Sequence, residues 1–233
     1  MLFRSDMLPK GWVNLHFSVL PAYRGAAPVQ WAIINRETQT GAAVFQLEPG
    51  LDTGPVYSTL TRSLAPDETA GEVLTDLAHR GATLLADTLA DIQAGTAQPT
   101  PQHGEASWAP KLTSRHVKVD PAQPAETVRG LINGASPAPG AWGILETAET
   151  DPTRLKMGRA RPVDDAVGHN KQPGEFIFEP TRVLLMCQDG VIELMDVQPS
   201  GKKMMRATDW ARGVDDTIRL QTSVTHPDEF NQQ

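Results

Sequence analysis

The sequence has one cysteine, few aromatic residues and no long apolar run. Cys187 cannot form an intrachain disulfide, which is typical of a protein from a reducing, cytoplasmic compartment. Because Cys187 lies in the apolar run 183–187, we expect it to be a buried small hydrophobic residue. No apolar run approaches the ~18 residues that span a membrane. The apolar stretch within residues 1–6 is too short for a signal peptide. A cytoplasmic protein without a membrane partner is therefore expected.

Positive charge is also scarce. The 233 residues include 21 Lys and Arg against 28 Asp and Glu, which gives a formal net charge of -7. Any binding of nucleic acid must therefore come from a local basic patch, because the bulk charge would repel it. The length allows one large domain or two small ones.

Residues 12–93 alternate between strand and helix patterns. Strands are predicted at 12–17, 42–47 and 56–64, and a helix over 26–36 has Pro28 in its first turn. A longer helix begins at the capping-box pair Thr69 and Glu72 and stops at Gly95. Its apolar positions recur at helical spacing and predict a core-facing stripe, which comprises Leu74, Leu77, Gly81, Leu85, Leu89 and Ile92.

The composition changes after this helix. Residues 94–115 are rich in Gln, Thr, Pro, Gly and Ala, which indicates a linker. A helix closed by Gly134 and five short strands follow, and such a pattern predicts a small barrel or sandwich. Asp189-Gly190 joins the last two strands and predicts a type I′ hairpin turn. We expect domains over 1–93 and 116–220, and a flexible tail over 221–233.

Two polar side chains stand out on the first strand. Asn14 and His16 point to the same face because side chains alternate along a strand. In α/β sheets the ends of strands are also where ligands bind. On its own, His16 would more commonly be a structural histidine with its hydrogen bonds satisfied.

A carboxylate between two glycines marks a second segment. Asp52 lies in the loop 50–54, and flanking glycines allow a loop to approach a ligand closely. Turn formation alone would explain such a loop. Together, the two segments supply an amide, an imidazole and a carboxylate, a set that suits acyl transfer.

Two segments together resemble the signature of the folate-dependent formyltransferases. They are Asn-Leu-His-Phe-Ser-Val-Leu-Pro-Ala-Tyr-Arg-Gly at 14–25 and Leu-Asp-Thr-Gly at 51–54. The resemblance implies that Asn14, His16 and Asp52 are catalytic. It also implies that the stretch Ser18, Val19, Leu20 and Pro21 contacts tetrahydrofolate, although the family usually has Leu at the position of Val19.

The family's chemistry implies a role for each catalytic residue. Asn14 would donate to the oxyanion that develops on the formyl group of 10-formyltetrahydrofolate. His16 would bind the same oxygen or move a proton, and Asp52 would pair with His16 and orient a water that removes the proton of the attacking amine. No metal is implied.

Later segments resemble the carboxy-terminal barrel of one family within this group, the methionyl-tRNA formyltransferases. They lie at 109–112, 139–141, 197–205 and 209–213. The resemblance implies an α/β protein in which a partial Rossmann-like formyltransferase domain precedes an OB-like β-barrel. The implied reaction is formylation of methionyl initiator tRNA in translation initiation, and we expect a monomer. The glycinamide ribonucleotide, aminoarabinose and formyltetrahydrofolate dehydrogenase enzymes share the amide, histidine and aspartate. An aminoarabinose-type enzyme and a catalytically dead RNA-binding chain therefore remain alternatives.

Basic residues of the second domain are candidates for contact with tRNA phosphates. Lys202, Lys203 and Arg206 cluster near a Gly-Lys-Lys turn, with Arg129 and Lys111 as candidate neighbours. Arg24 could either join them or brace its own loop through carbonyl groups.

The chain reaches Asn14 almost at once, whereas the family builds several parallel strands before this motif. We therefore expect that the first part of the catalytic domain is missing, that one edge of the strand bearing Asn14 is exposed, and that the fragment could be inactive.

Overall fold

A computed structural model describes residues 11–147, 151–163 and 171–222, which divide into two compact units. The first unit includes residues 11–113 and 137–139, and the second includes 114–136 and the described residues after 139. The division after Thr113 falls within the segment predicted as a linker. The first ten residues and most of the predicted tail lie outside the described residues.

An antiparallel sheet and two helices form most of the first unit. Its elements are β1 (Val13–His16), β2 (Arg24–Gly25), α1 (Pro28–Ile34), β3 (Gln39–Gln46), β4 (Val56–Ser63), α2 (Ala70–Ala94) and β5 (Trp108–Ala109). The sheet order is β1-β3-β4, and each neighbouring pair is antiparallel. Strand β3 is central and its run from Ala42 to Phe45 is fully buried, since one face meets α2 and the other meets Leu20.

Both predicted helices of the first unit are present; α1 is two residues shorter at each end than predicted, and the predicted boundaries of α2 are confirmed. Pro28 lies in the first turn of α1. At the start of α2 the Thr69 side chain accepts from the backbone N–H of Glu72, and the Glu72 carboxylate accepts from the N–H of Thr69. The helix ends at Gly95, whose φ of 76° is left-handed.

The buried face of α2 differs from the predicted stripe. Leu89 is 46% exposed, whereas Thr88 is buried and its hydroxyl lies 2.6 Å from that of Ser58 in β4. Gly81 packs so closely on Leu15 that an added Cβ would lie 2.9 Å from it. In its second half, α2 therefore packs on the sheet through small and polar residues. The predicted burial of Leu89 is wrong.

Residues after α2 run along the first unit. Thr100 pairs with Val56 through backbone hydrogen bonds of 2.8 and 2.9 Å. Strand β5 then pairs in parallel with β2, so that Trp108 lies opposite Arg24 and Ala109 opposite Gly25. This part of the predicted linker is thus bound to the last residues of the first motif.

The second unit is a seven-stranded antiparallel sheet that curves into a nearly closed barrel. Its elements are α3 (Ala125–Gly134), β6 (Ala141–Glu146), β7 (Thr153–Pro162), β8 (Phe176–Phe178), β9 (Val183–Met186), β10 (Val191–Pro199), β11 (Met205–Arg206), α4 (Ala207–Ala211) and β12 (Arg219–Leu220). The order is β12-β6-β7-β10-β9-β8, and β11 also pairs with β10. A bridge between Glu175 and Arg219 connects the two ends of this order.

This architecture agrees with the predicted fold class, an α/β unit followed by an OB-like barrel. The five strands predicted in the second domain correspond to β6 to β10, while the two-residue strands β11 and β12 were not predicted. The barrel interior is filled by Leu155 and Met157 of β7 and by residues of β9 and β10.

One turn prediction in the second unit is wrong. Neither Asp189 nor Gly190 has a positive φ, so the β9–β10 connection is not a type I′ turn. Residues 187–190 form a wider loop closed by the Cys187 N–H and the Gly190 carbonyl, and the Asp189 carboxylate accepts from the first N–H of α3. Helix α3 ends at Gly134, as predicted, with Ala135 as the residue that caps it.

Candidate active site

The loops after β1 and β3 border a cleft of about 630 Å³ in the first unit. Asn14 and His16 both reach it because they alternate on β1, and Asp52 reaches it from the loop between β3 and β4. The structure therefore brings these three predicted residues to one place. The lining residues are Asn14, His16, Arg24, Gly25, Ala26, Leu51, Asp52, Trp108, Pro110 and Lys111.

His16 is buried, and both of its ring nitrogens face acceptor oxygens. Its Nε2 lies 2.9 Å from the carbonyl oxygen of Tyr23, and its Nδ1 lies 3.7 Å from Asp52 Oδ2. The ring edge packs on Phe45 with a centroid distance of 6.3 Å. Because a carbonyl only accepts, Nε2 carries the hydrogen in this arrangement. A protonated ring would then direct its second N–H toward the carboxylate.

Asp52 is fixed by the backbone of the first motif. Its Oδ2 accepts a hydrogen bond of 2.8 Å from the N–H of Gly25. Gly25 has a φ of 125°, and an added Cβ would lie 2.6 Å from the carbonyl oxygen of Ala109. Only glycine fits there, so the residue that closes the first motif also supplies the donor for the carboxylate.

Tyr23 braces the loop that meets His16. Its hydroxyl donates 2.6 Å to Glu37 Oε1 and accepts from the Asn35 amide. Burial, with the Glu37 hydrogen bond as the next cause, raises the pKa of Tyr23 to about 12. The phenol therefore stays neutral at physiological pH and keeps donating. Tyr23 itself has a left-handed φ of 58°, which turns its carbonyl toward His16.

Gln102 is a contact that the sequence analysis missed. Its Nε2 donates to the carbonyl oxygens of Asp52 and Gly54, both at 2.8 Å, and its Oε1 accepts from Arg24 at 2.6 Å. Arg24 therefore braces its loop by donating to the Gln102 side-chain amide, and not to any carbonyl group of the described loop. The residue could not be found from the sequence, because it lies in a segment with the composition of a linker.

The stretch predicted to contact folate forms the turn after β1. Ser18 and Leu20 are buried, and the Ser18 hydroxyl donates to the Ala22 carbonyl. The Val19 side chain is exposed, and Pro21 follows a cis peptide bond. These residues lie next to the cleft in sequence, but their side chains are not among those that line it.

Two exposed apolar side chains line the cleft and were also missed. Leu51 is 57% exposed and Trp108 is 60% exposed. Lys111, one of the predicted basic residues, lies beside them. Leu51 belongs to the Leu-Asp-Thr-Gly motif, so its position could have been inferred.

The predicted basic turn lies on the second unit. Lys202 and Lys203 are exposed between β10 and β11, and Arg206 is exposed at the end of β11. Arg129 differs from them because it is 7% exposed and forms an ion pair with Glu126 in α3. Its guanidinium is therefore engaged within its own helix.

Among the described residues, no group of three His, Cys, Asp or Glu side chains is placed to hold a metal ion. In the same part of the chain, no helix combines the length and apolar character needed to cross a bilayer.

Comparison with known proteins places these features in one family. The sequence matches the family described as "Formyl transferase" over residues 5–89 and its C-terminal domain over residues 111–215. A methionyl-tRNA formyltransferase of Corynebacterium diphtheriae is 42% identical over 225 residues, which cover 95% of this chain and 70% of that protein. The chain belongs to the formyl transferase family. The chain is also 49% identical over 204 residues to the methionyl-tRNA formyltransferase of Leifsonia xyli.

The match to the Leifsonia xyli protein covers 88% of this chain but 65% of that protein, so the chain spans about two thirds of that relative's length. Solved structures share the fold at lower identity. A methionyl-tRNA formyltransferase from Clostridium thermocellum has a TM-score of 0.53 at 20% identity, covering 80% of this chain and 67% of that one. HypX from Aquifex aeolicus in complex with tetrahydrofolic acid has a TM-score of 0.65 at 20% identity, covering 86% and 34%.

Proposed function

We propose that the chain transfers the formyl group of 10-formyltetrahydrofolate to the amino group of methionyl initiator tRNA, in translation initiation. The observation that carries this proposal is the convergence of Asn14, His16 and Asp52 on one cleft. Family membership and the similarity to methionyl-tRNA formyltransferases support it. We further propose that the protein is cytoplasmic and monomeric.

The reaction balances without a metal or a redox partner. The amine nitrogen forms a bond to the formyl carbon, the bond from that carbon to folate N10 breaks, and one proton leaves the amine while N10 gains one. Negative charge develops on the formyl oxygen as the amine adds. The protein must therefore supply a donor for that oxygen and a route for the proton.

Three side chains meet these requirements. Asn14 is exposed in the cleft, where its amide can donate to the oxyanion. His16 supplies a second donor or moves a proton, and this requires its Nε2 to exchange the Tyr23 carbonyl for substrate. Asp52 lies on the other side of the ring, where its carboxylate stabilises the protonated imidazole and can orient a water that accepts the amine's proton.

The cleft has the size and character of a site for a small organic molecule. A volume of about 630 Å³ lies within the common range for such sites. Apolar Leu51 and Trp108 offer contact area, and Asn14 and Asp52 supply hydrogen-bonding groups. We propose that formyl-folate binds here and that the turn Ser18–Pro21, through Val19 in particular, contacts its tetrahydrofolate ring.

Two groups of basic residues are proposed to contact tRNA. Lys202, Lys203 and Arg206 form one exposed cluster on the barrel, and Lys111 and Arg24 lie at the cleft. In an acidic chain such local clusters are the positions where phosphate can bind. The Glu126 ion pair makes Arg129 the weakest member of the predicted set, and we assign it a structural role.

A substrate test separates this proposal from its alternatives. The chain would be incubated with 10-formyltetrahydrofolate and either methionyl initiator tRNA or an aminoarabinose nucleotide. A chimera in which residues 11–222 replace the matching stretch of the Leifsonia xyli enzyme would be assayed in parallel, because the chain spans only part of that relative. We expect formylmethionyl-tRNA. Formylation of the sugar alone would overturn the proposal in favour of an aminoarabinose-type enzyme. RNA binding without transfer in either protein would identify a catalytically dead RNA-binding chain.

A further inference from the structure

Asp52 has a left-handed backbone conformation in the loop between β3 and β4. Its φ of 53° is uncommon outside glycine, although Asp adopts it more readily than most residues do. This conformation places the Asp52 side chain against His16 and Gly25. Contacts from outside the loop stabilise it further.

Gln102 makes these contacts through its side-chain amide. The two N–H groups of this primary amide donate to the carbonyl of Asp52 itself and to that of Gly54, two residues later, so both donors of the nitrogen are used. The orientation of this amide follows from chemistry. The atom facing two carbonyls must be the donor, and the atom facing the Arg24 guanidinium must be the acceptor.

The contacts form a closed ring around the carboxylate. Arg24 donates to Gln102, Gln102 donates to the backbone of Asp52, and the Asp52 carboxylate accepts from Gly25, the residue next to Arg24. Asp52 is thus held by its backbone from one side and by its carboxylate from the other. Neither contact alone fixes both the position and the direction of the side chain.

Gln102 itself has a fixed position. On one side of it Thr100 pairs with Val56, and on the other side β5 pairs with β2. The backbone N–H of Arg24 donates to the Ser107 carbonyl at 2.8 Å, which ties the same segment to the first motif. The segment 100–109 therefore connects the Asp52 loop with the loop after His16.

We propose that Gln102 is a positioning residue of the candidate active site, which holds the Asp52 loop so that the carboxylate faces His16. The expected effect of Gln102 on formyl transfer rests on the proposed function. Its role in holding the Asp52 loop does not. Gln102 touches neither the cleft nor the reacting atoms, and it acts through Asp52. The contact requires an uncharged amide, because a carboxylate at this position would face two carbonyl oxygens.

Four substitutions isolate this role. Gln102→Glu preserves the shape of the side chain but removes both donors, and Gln102→Ala removes the side chain. Gln98→Ala is the matched control, since Gln98 is an exposed glutamine four residues earlier in the predicted linker. Asp52→Asn provides the reference for a site without the carboxylate charge. Circular dichroism and thermal unfolding of each variant would give the folded fraction.

The first measurement is independent of activity. The Gly25 amide donates to the Asp52 carboxylate, so its ¹H–¹⁵N NMR signal should move as that carboxylate titrates. We expect this pH-dependent movement in the unchanged chain and in Gln98→Ala. We expect its loss in Asp52→Asn and in both Gln102 variants, with amide hydrogen exchange of Gly25 at least about 10-fold faster. An unchanged Gly25 titration in folded Gln102→Ala and Gln102→Glu would overturn the proposal.

The second measurement is formyl transfer per folded molecule. A misplaced catalytic group can cost about 100-fold in rate, so we expect kcat to fall about 10- to 100-fold in both Gln102 variants while the folate Kd changes less than about 3-fold. A merely structural role would lower the folded fraction and leave the kcat of the folded fraction unchanged, which would also overturn the proposal. Absence of transfer in the unchanged chain and its chimera would instead overturn the proposed function, and the Gly25 titration would still decide the role of Gln102.

Discussion

His16 Nδ1 and Asp52 Oδ2 lie 3.7 Å apart, and their side chains are only 6% and 10% exposed. This distance suits an ion pair rather than a direct hydrogen bond. Because little water reaches the pair, the interaction is screened less than a surface ion pair would be. The Gly25 N–H holds the Asp52 carboxylate and the Tyr23 carbonyl holds the His16 ring, so the imidazole and the carboxylate form a preorganised unit.

We expect His16→Ala and Asp52→Ala each to lower turnover about 10²- to 10⁴-fold, while folate binding changes little. Groups that act in the transition state contribute little to ground-state affinity. The double variant should lose little more than either single one, because the two residues act as a unit. Single-turnover transfer and folate titration would measure these effects in the chain and its chimera.

His79→Ala is the control for these substitutions, since His79 is exposed on α2 and its ring contacts only the Thr75 carbonyl among the contacts described. Its turnover should be unchanged. Turnover within about 3-fold of the unchanged protein in either His16→Ala or Asp52→Ala would refute the assigned roles.

Asn14 should matter for turnover through its amide N–H. We expect Asn14→Ala and Asn14→Asp to lose about 10²- to 10³-fold in kcat, because each removes the donor to the developing oxyanion. Asn14 is exposed, so neither change should lower the unfolding temperature appreciably. An Asn14→Asp variant that retains turnover would exclude this role, since its charge would repel the oxyanion.

The sequence predicts local structure better than long-range contacts. The capping box of Thr69 and Glu72 and the stop at Gly95 depend on neighbours within one helical turn, and both are confirmed. The shared face of Asn14 and His16 follows from strand alternation alone. The turn at Asp189 was predicted wrongly because its carboxylate caps α3, a contact with a residue far away in sequence. Gln102 was missed for the same reason: its partners lie about 50 and 80 residues earlier.

Tyr23 should ionise far above the ordinary range. Burial and the Glu37 hydrogen bond raise its pKa from 10.0 to about 12. Because the pKa of Tyr23 is higher in the folded protein than in the unfolded chain, the neutral phenol stabilises the fold. This stabilisation is fully present below pH 10.0 and is lost as the pH rises from 10.0 through about 12. Ultraviolet absorbance titration of a Tyr57→Phe variant isolates Tyr23, because the chain has two tyrosines. Ionisation of Tyr23 near pH 10 would contradict the observed network.

Asn133 should stabilise the second unit through two buried hydrogen bonds. Its amide donates to the Ala160 carbonyl and accepts from the Ala160 N–H, both at 2.9 Å, where the pairing of β7 with β10 is irregular. We expect Asn133→Ala to cost about 2–4 kcal/mol, because both backbone groups of Ala160 lose their partner. Denaturant unfolding followed by NMR signals of the barrel would measure the cost. A stability change below about 0.5 kcal/mol would contradict it.

Lys202 and Lys203 should contribute to tRNA binding through phosphate contacts. Both are exposed at the turn that follows β10, next to exposed Arg206. We expect Lys202→Gln with Lys203→Gln to weaken tRNA binding and leave folate binding unchanged. Each lost phosphate contact should also flatten the log–log dependence of affinity on salt by about 0.7 to 0.9.

A matched pair of substitutions controls for the loss of charge. Arg80→Gln with Lys171→Gln also removes two exposed positive charges, but at positions away from the basic turn in sequence. If net charge alone attracted tRNA, both double variants would weaken binding equally and change the slope equally. The acidic balance of the chain makes such general attraction weak, so we expect the control to bind as the unchanged protein does. Affinity would be measured at several salt concentrations in the chain and its chimera. An unaltered slope in the Lys202 and Lys203 variant would exclude this turn from the tRNA-binding surface.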